Sequence, residues 1–261
     1  MPFDRLPPVA RGAALVVAGA WSLVLSQDLG LFLPTFCAMT VLTPKAALAS
    51  LDLALALNPP GMLAAGWALM LAAMMTPLLV APLLFIRAVS LPRRRLELMS
   101  LFVAAYVTVW MAAGAILLPL AILLRLSTPS PWIAAGLAAS AILVWHASPA
   151  RQRCLNRRHA RPPLPAFRLP AAMGAVGFGV AQGVWCVGAC GGLMLLPLVL
   201  PDGHVAVMAA VALWQFAEHL EPAEPPHWKW RWPERTARMV AWRLANLSPK
   251  PTPSPPSTPA R

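Results

Sequence analysis

Residues 181–194 read AQGVWCVGACGGLM and contain two cysteines one helical turn apart. At ~3.6 residues per turn, Cys186, Cys190 and Met194 fall on one face of a helix. The four glycines of the stretch would weaken such a helix in water. The pattern therefore predicts a helix that packs tightly against other helices inside a membrane.

The composition of the whole chain supports a membrane location. Of its 261 residues, 59% are hydrophobic and only 11% are charged, with a mean hydropathy of +0.65, whereas about a quarter of the residues of a soluble protein are charged. The net charge of +12 lies in short clusters between apolar runs, which is how membrane topology is encoded and is not typical of nucleic-acid binding. These features exclude an ordinary soluble enzyme.

The apolar runs predict an all-α fold, a polytopic membrane helical bundle with six transmembrane helices. The spans form one domain, residues 1–226, and are placed at about 12–26, 61–86, 97–124, 132–146, 170–200 and 204–220. Residues 46–57 are apolar but short, and we interpret them as an interfacial or re-entrant helix. Residues 227–248 are expected to form an amphipathic helix in the headgroup plane, and 249–261 a disordered Pro/Ser tail.

Charge asymmetry predicts the orientation of these spans. With six spans and both termini on one side, all of the 21 Lys and Arg residues except Lys45 and Arg125 share that side. Lys and Arg accumulate in cytoplasmic loops, so both termini are expected to be cytoplasmic. For a bacterial chain, this describes a multi-pass protein of the inner membrane.

Two methionines of the second span are expected at the same membrane depth as the cysteines of the fifth span. At ~1.5 Å per residue, Met70 and Met74 of the second span lie roughly 13–20 Å below the outer boundary, level with Cys190 and Cys186. Thiolate and thioether groups select Cu(I) over harder ions. The matched depths predict a soft-metal site formed by Cys186, Cys190, Met194, Met70 and Met74, with zinc a poorer candidate than copper.

Several ordered motifs resemble those of a known bacterial family. They are Trp67-x2-Met70-x2-Ala73-Met74-Met75-x-Pro77, Tyr106-x3-Trp110, Ser148-Pro149-x-Arg151-x2-Cys154-Leu155, and Gly183-x2-Cys186-x-Gly188-x-Cys190-x2-Leu193-Met194, followed by Met208 and Glu218. Together they are similar, over roughly residues 60–220, to the family of predicted metal-binding integral membrane proteins, a domain of unknown function. The resemblance implies a multispan inner-membrane protein with a metal site and no established reaction.

The chain departs from that family's pattern at several positions. The pattern has histidine at Gln182 and cysteine at Ala189 and Arg158. It also has tryptophan at Gly191, asparagine near His204 and lysine at His219. Either Cys186, Cys190 and the methionines suffice for a metal, or this member has lost the site.

Other interpretations of the chemistry stay open. Cys186 and Cys190 are equally expected as small residues of a packed helix interface. A redox dithiol is a third interpretation, although cysteines at i and i+4 of a continuous helix are poorly placed for a disulfide. Glu218 is costly inside a membrane and marks either a metal ligand or a partner for a basic residue such as Arg151. No catalytic pattern is present, so we expect no enzyme, and metal binding or delivery, with a metal-donor or metal-acceptor protein or membrane complex as partner, is the main hypothesis. The alternatives are a non-catalytic scaffold or assembly partner and a small-solute transporter.

Overall fold

The computed structural model describes residues 7–28, 60–165, 168–200 and 202–247, and these residues contain helices and no strand. The helices are α1 (Pro8–Asp28), α2 (Pro60–Val89), α3 (Arg95–Leu126), α4 (Pro131–Ala147), α5 (Pro149–Arg158), α6 (Arg168–Val199), α7 (His204–His219) and α8 (Glu234–Leu247), with a 3₁₀ turn at Pro92–Arg94. The expected interfacial segment 46–57 and the tail 249–261 lie outside the described residues.

Four of the helices are long and apolar enough to cross a membrane. They cover residues 8–26, 60–89, 92–126 and 169–199, and the bent pair α4 and α5 passes the same test when it is taken as one span. Helix α7 has only 16 residues, and about 20 are needed to cross a bilayer. The all-helical, multi-span character of the chain is thus supported with four or five candidate spans, while the count of six and the orientation stay predictions.

Helix α6, which carries Cys186 and Cys190, lies at the centre of the bundle. It packs most extensively against α3 and also contacts α4, α5 and α7. Small residues allow the close approach to α3: a Cβ added at Gly183 would lie 2.9 Å from Val109, and one at Gly179 would meet the carbonyl oxygen of Phe102. The glycine-rich sequence therefore serves helix packing, as its composition predicts.

Prolines within the spans leave backbone carbonyls without their usual partner. Pro77 has no N–H to bond the carbonyl of Ala73, and the indole of Trp21 donates to that oxygen at 3.2 Å instead. This bond joins α1 to α2, two helices that pack along much of their length.

A sharp bend at Ser148 turns the chain from α4 into α5. The two helix axes differ by 68°, because Ser148 precedes Pro149 and adopts an extended conformation that ends the first helix. The Ser148 side chain then caps α5 by accepting from the N–H of Arg151. The bend folds the arginine-rich α5 back against α6.

Helix α8 follows a tryptophan-rich segment and is tied to the bundle at its start. The Thr236 hydroxyl donates to the carbonyl of Ala217, and its backbone N–H donates to Glu221. Farther along, Met239, Val240 and Trp242 have 43–68% of their surfaces exposed. The apolar side of α8 is therefore not used in packing within the described chain.

Candidate metal centre

Cys186 and Cys190 form the centre of the site. Both side chains are buried, with exposed fractions of 2% and 0%, and neither is in a disulfide. Both residues lie on α6, and side chains at positions i and i+4 of a helix are neighbours on one face. The i, i+4 spacing read from the sequence thus produces an adjacent dithiol.

Helix α3 supplies the neighbours of Cys186. The hydroxyl of Tyr106, the only tyrosine of the chain, donates to Cys186 Sγ at 3.2 Å. The indole of Trp110 lies beside the same thiol, although its N–H makes no hydrogen bond of normal geometry. Trp67 of α2 donates to the carbonyl of Trp110 at 2.8 Å, so a residue of the second-span motif supports the helix that faces this thiol.

Arg158 supplies the neighbour of Cys190. The guanidinium is 1% exposed, and its Nη1 donates to Cys190 Sγ at 3.2 Å. Its Nη2 lies 3.1 Å from Nδ1 of His219. Since arginine has no acceptor, His219 must accept through Nδ1 and carry its proton on Nε2. In the sequence, Arg158 stands out only as a departure from the family's cysteine, and no spacing pattern predicts its contact with Cys190.

Glu218 is occupied by a different arginine. It forms an ion pair with Arg151 in which both side chains are no more than 3% exposed. Arg151 also donates through Nε to the carbonyl of Ala189 at 3.0 Å. Of the two roles open for Glu218, the structure thus shows the pairing with Arg151, which leaves one carboxylate oxygen, Oε1, without a hydrogen bond.

The methionines expected at the site are all buried, but they lie on two different helices. Met194 is fully buried on the same face of α6, one turn beyond Cys190. Met70 and Met74 are 5% and 2% exposed and belong to the same core. Their helix packs mainly on α1, α3 and α7, and it contacts α6 where the ring of Phe85 lies against Phe178.

A pair of histidines lies beside Arg158 at the end of α5. The rings of His159 and His219 are nearly parallel, with centroids 5.5 Å apart. Burial, together with the charges of Arg158, Arg161 and Arg231, lowers the pKa of His159 below its usual value, which favours the neutral imidazole that can stack on its neighbour. His204 lies at the opposite end of α7 from His219, and its Nδ1 is 2.7 Å from the carbonyl oxygen of Pro197.

The available donors suit a soft monovalent metal better than zinc. Across residues 7–28, 60–165, 168–200 and 202–247, no group of three or more His, Cys, Asp or Glu side chains could hold a metal, whereas zinc sites use three or four such ligands. Two thiols with a thioether one turn away are the soft donors that Cu(I) prefers. Cys186, Cys190 and Met194 are therefore the soft donors that this part of the chain offers to a metal.

Comparison with known proteins gives one relevant result. The family model described as PpoB2, copper chaperone, matches residues 64–240 of the chain. No curated protein and no solved structure gives a match. The matched range includes the dithiol, both buried arginines and the start of α8.

Proposed function

We propose that this chain, which belongs to the family of PpoB2 copper chaperones, is an integral membrane protein that binds Cu(I) at Cys186 and Cys190 and delivers it to a partner protein or membrane complex. The observation that carries this proposal is the pair of buried thiols one turn apart on α6. Apolar burial keeps water away from the sulfur atoms, and soft sulfur donors are selective for Cu(I).

The surrounding residues would hold the dithiol in place while the cargo binds. Tyr106 orients Cys186 from α3, and Trp145 and Arg151 bond consecutive carbonyls of α6 at Gly188 and Ala189. These bonds fix the depth of Cys190 relative to α4 and α5. Met194, on the next turn, offers a thioether as a third donor, and its weak binding would ease transfer.

We further place the protein in the bacterial inner membrane, with six spans, cytoplasmic termini and α8 lying on the lipid headgroups. The exposed apolar residues of α8 support this arrangement, as do Trp228 and Trp232, whose exposed fractions are 69% and 62%. Tryptophan and arginine together are typical of segments that lie at an anionic lipid surface.

The metal proposal is tested by metal content after Cu(I) loading. The full chain is purified in detergent under reducing conditions, loaded, desalted and measured by elemental mass spectrometry. We expect about one copper per chain in the wild type and a loss of at least 80% in the Cys186→Ser/Cys190→Ser variant. Cys154→Ser is the matched control, because this thiol lies against Gly188 outside the dithiol and should not change the copper content. A wild type with less than a tenth of an equivalent would overturn the proposal.

A non-catalytic scaffold is the second candidate function. It is favoured by the hydrogen bond from Arg158 to Cys190, because a buried thiol that is already bonded is stable without a metal. In that case a stable partner would be recovered from membranes equally well with either the wild type or the double cysteine variant, and a copper chelator would not change the recovery.

A further inference from the structure

Arg158 is a buried cation that forms no ion pair with a carboxylate in the described part of the chain. It is as deeply buried as Arg151, yet the ion pairs of the described residues are Arg94–Glu97, Arg151–Glu218 and Arg231–Glu224. Its Nε makes no hydrogen bond. Burial of an unpaired charge is costly, so the position of this guanidinium calls for an explanation beyond packing.

The partners of Arg158 place it at the proposed copper position. One side of the guanidinium donates to Cys190 Sγ at 3.2 Å, and the other side is held by His219. A metal bound between the two thiols would need sulfur lone pairs, one of which this hydrogen bond already uses. It would also lie within a few ångströms of a fixed positive charge, where low dielectric makes repulsion strong.

We propose that Arg158 occupies the cation position of the Cys186–Cys190 pair in the copper-free protein and lowers the affinity of this site for Cu(I). Copper loading then requires the guanidinium to leave Cys190, and its return assists release. This inference rests on the proposed function and assigns Arg158 as the residue that makes the centre a site of transfer instead of storage.

The position of Arg158 on its helix allows this movement. It is the last residue of α5, and the chain leaves the helix at His159. The backbone after it continues into an irregular segment, residues 160–165. A long arginine side chain at a helix end can change its rotamer without displacing the helix, and its hydrogen bond to His219 can persist when the bond to Cys190 is broken.

The test compares Cu(I) affinities of the full-length protein in detergent, measured by competition with a chromogenic Cu(I) chelator. Arg158→Gln should bind Cu(I) at least tenfold more tightly than the wild type. Arg158→Lys, which keeps the charge, should stay within threefold of the wild type. Arg157→Gln is the matched control: it removes one charge from the same helix, but its guanidinium lies 4.6 Å from the Trp185 ring centre and bonds neither thiol. It should change affinity less than twofold.

A second variant addresses the case in which Arg158→Gln does not fold. His219→Ala removes the contact that holds the far side of the guanidinium and should tighten Cu(I) binding about threefold. Weaker binding in a folded His219→Ala or Arg158→Gln protein would overturn the inference, because it would show that these residues support the metal.

The outcomes separate this inference from the proposed function. Equal Cu(I) affinity in wild type and Arg158→Gln, with binding lost in the double cysteine variant, would leave the copper site standing and refute the role of Arg158. If Arg158→Gln binds copper and the wild type does not, the role of Arg158 is supported and copper carriage by the natural chain is refuted. Absence of copper from both proteins would refute both proposals.

Discussion

The hydroxyl of Tyr106 lies 3.2 Å from the Sγ of Cys186, although 80 residues separate them in the chain. Both residues are buried, so the bond is shielded from water and joins α3 to the centre of α6. It gives the dithiol a hydrogen-bonded neighbour beside Cys186, while Arg158 donates to Cys190.

Removal of the Tyr106 hydroxyl should lower the stability of the fold and leave the amount of bound Cu(I) nearly unchanged. Tyr106→Phe keeps the ring and loses a buried hydrogen bond, for which we expect a loss of about 0.5–1.5 kcal/mol of stability. Thermal unfolding in detergent measures this loss. The control is Thr108→Val, since the Thr108 hydroxyl is exposed and bonds only its own helix. A Cu(I) stoichiometry reduced by half in Tyr106→Phe would show instead that the phenol is part of the metal centre.

Substitution of the methionines should reveal which thioethers contact the metal. Leucine conserves most of the volume, so each Met→Leu change should cost less than about 1.5 kcal/mol of stability. We expect Met194→Leu to weaken Cu(I) binding several-fold, because Met194 lies one turn from Cys190. Met70→Leu and Met74→Leu should have smaller effects, since α2 packs mainly on α1, α3 and α7.

Met75→Leu is the internal control for that series, because Met75 is also buried in α2 but was not predicted as a ligand. Chelator competition gives the four affinities under one set of conditions. If Met70→Leu or Met74→Leu loses more Cu(I) affinity than Met194→Leu does, the ligand set predicted from matched membrane depths is supported.

Glu218 should matter for folding and not for copper stoichiometry. Glu218→Gln leaves the Arg151 guanidinium buried without its counter-ion, and breaking one partner of a buried pair typically costs about 3–5 kcal/mol. We expect a much lower yield of folded protein, whereas Glu97→Gln, which breaks an exposed pair with Arg94, should express normally. Copper per folded chain, measured after size-exclusion chromatography, should equal that of wild type. A clearly lower copper content per folded chain in Glu218→Gln would show that Glu218 is a ligand.

The close contact of α3 and α6 should make one glycine intolerant of a methyl group. In Gly179→Ala the new Cβ would overlap the carbonyl oxygen of Phe102, a backbone atom that cannot move independently. Overpacking of this kind costs about 1–3 kcal/mol. Gly177→Ala, two residues away, meets no atom within 4 Å and should be neutral. Equal unfolding temperatures for the two variants would mean that the helices pack less closely than described.

The apolar side of α8 should enter the lipid headgroup region. A single cysteine at Val240, in a chain whose own cysteines are replaced by serine, would carry an environment-sensitive fluorophore. In vesicles containing phosphatidylglycerol we expect a blue shift of its emission relative to the same label at Arg238, which belongs to the polar side of the helix. Identical emission from the two sites would indicate that α8 stays in water.

The all-helical character of the chain was predictable because it depends on composition and periodicity. Long apolar runs form helices in a membrane, since every backbone group must be bonded within its own segment. The i, i+4 spacing likewise places Cys186 beside Cys190, because that contact lies within one helix. Short helices such as α7 remain ambiguous, since 16 residues do not span the bilayer by themselves.

The sequence by itself determined that the chain is helical and that several of its helices are long and apolar enough to cross a membrane. It also determined that one helix carries two cysteines one turn apart, with Met194 on the next turn. Only the tertiary structure decided what faces that dithiol: Tyr106 from α3 and Arg158 from α5, with Glu218 bound to Arg151. The reason is that spacing along one helix fixes which side chains share a face, whereas contacts between helices depend on which faces meet. Close packing at the glycines of α6 and the bend at Ser148 set those contacts.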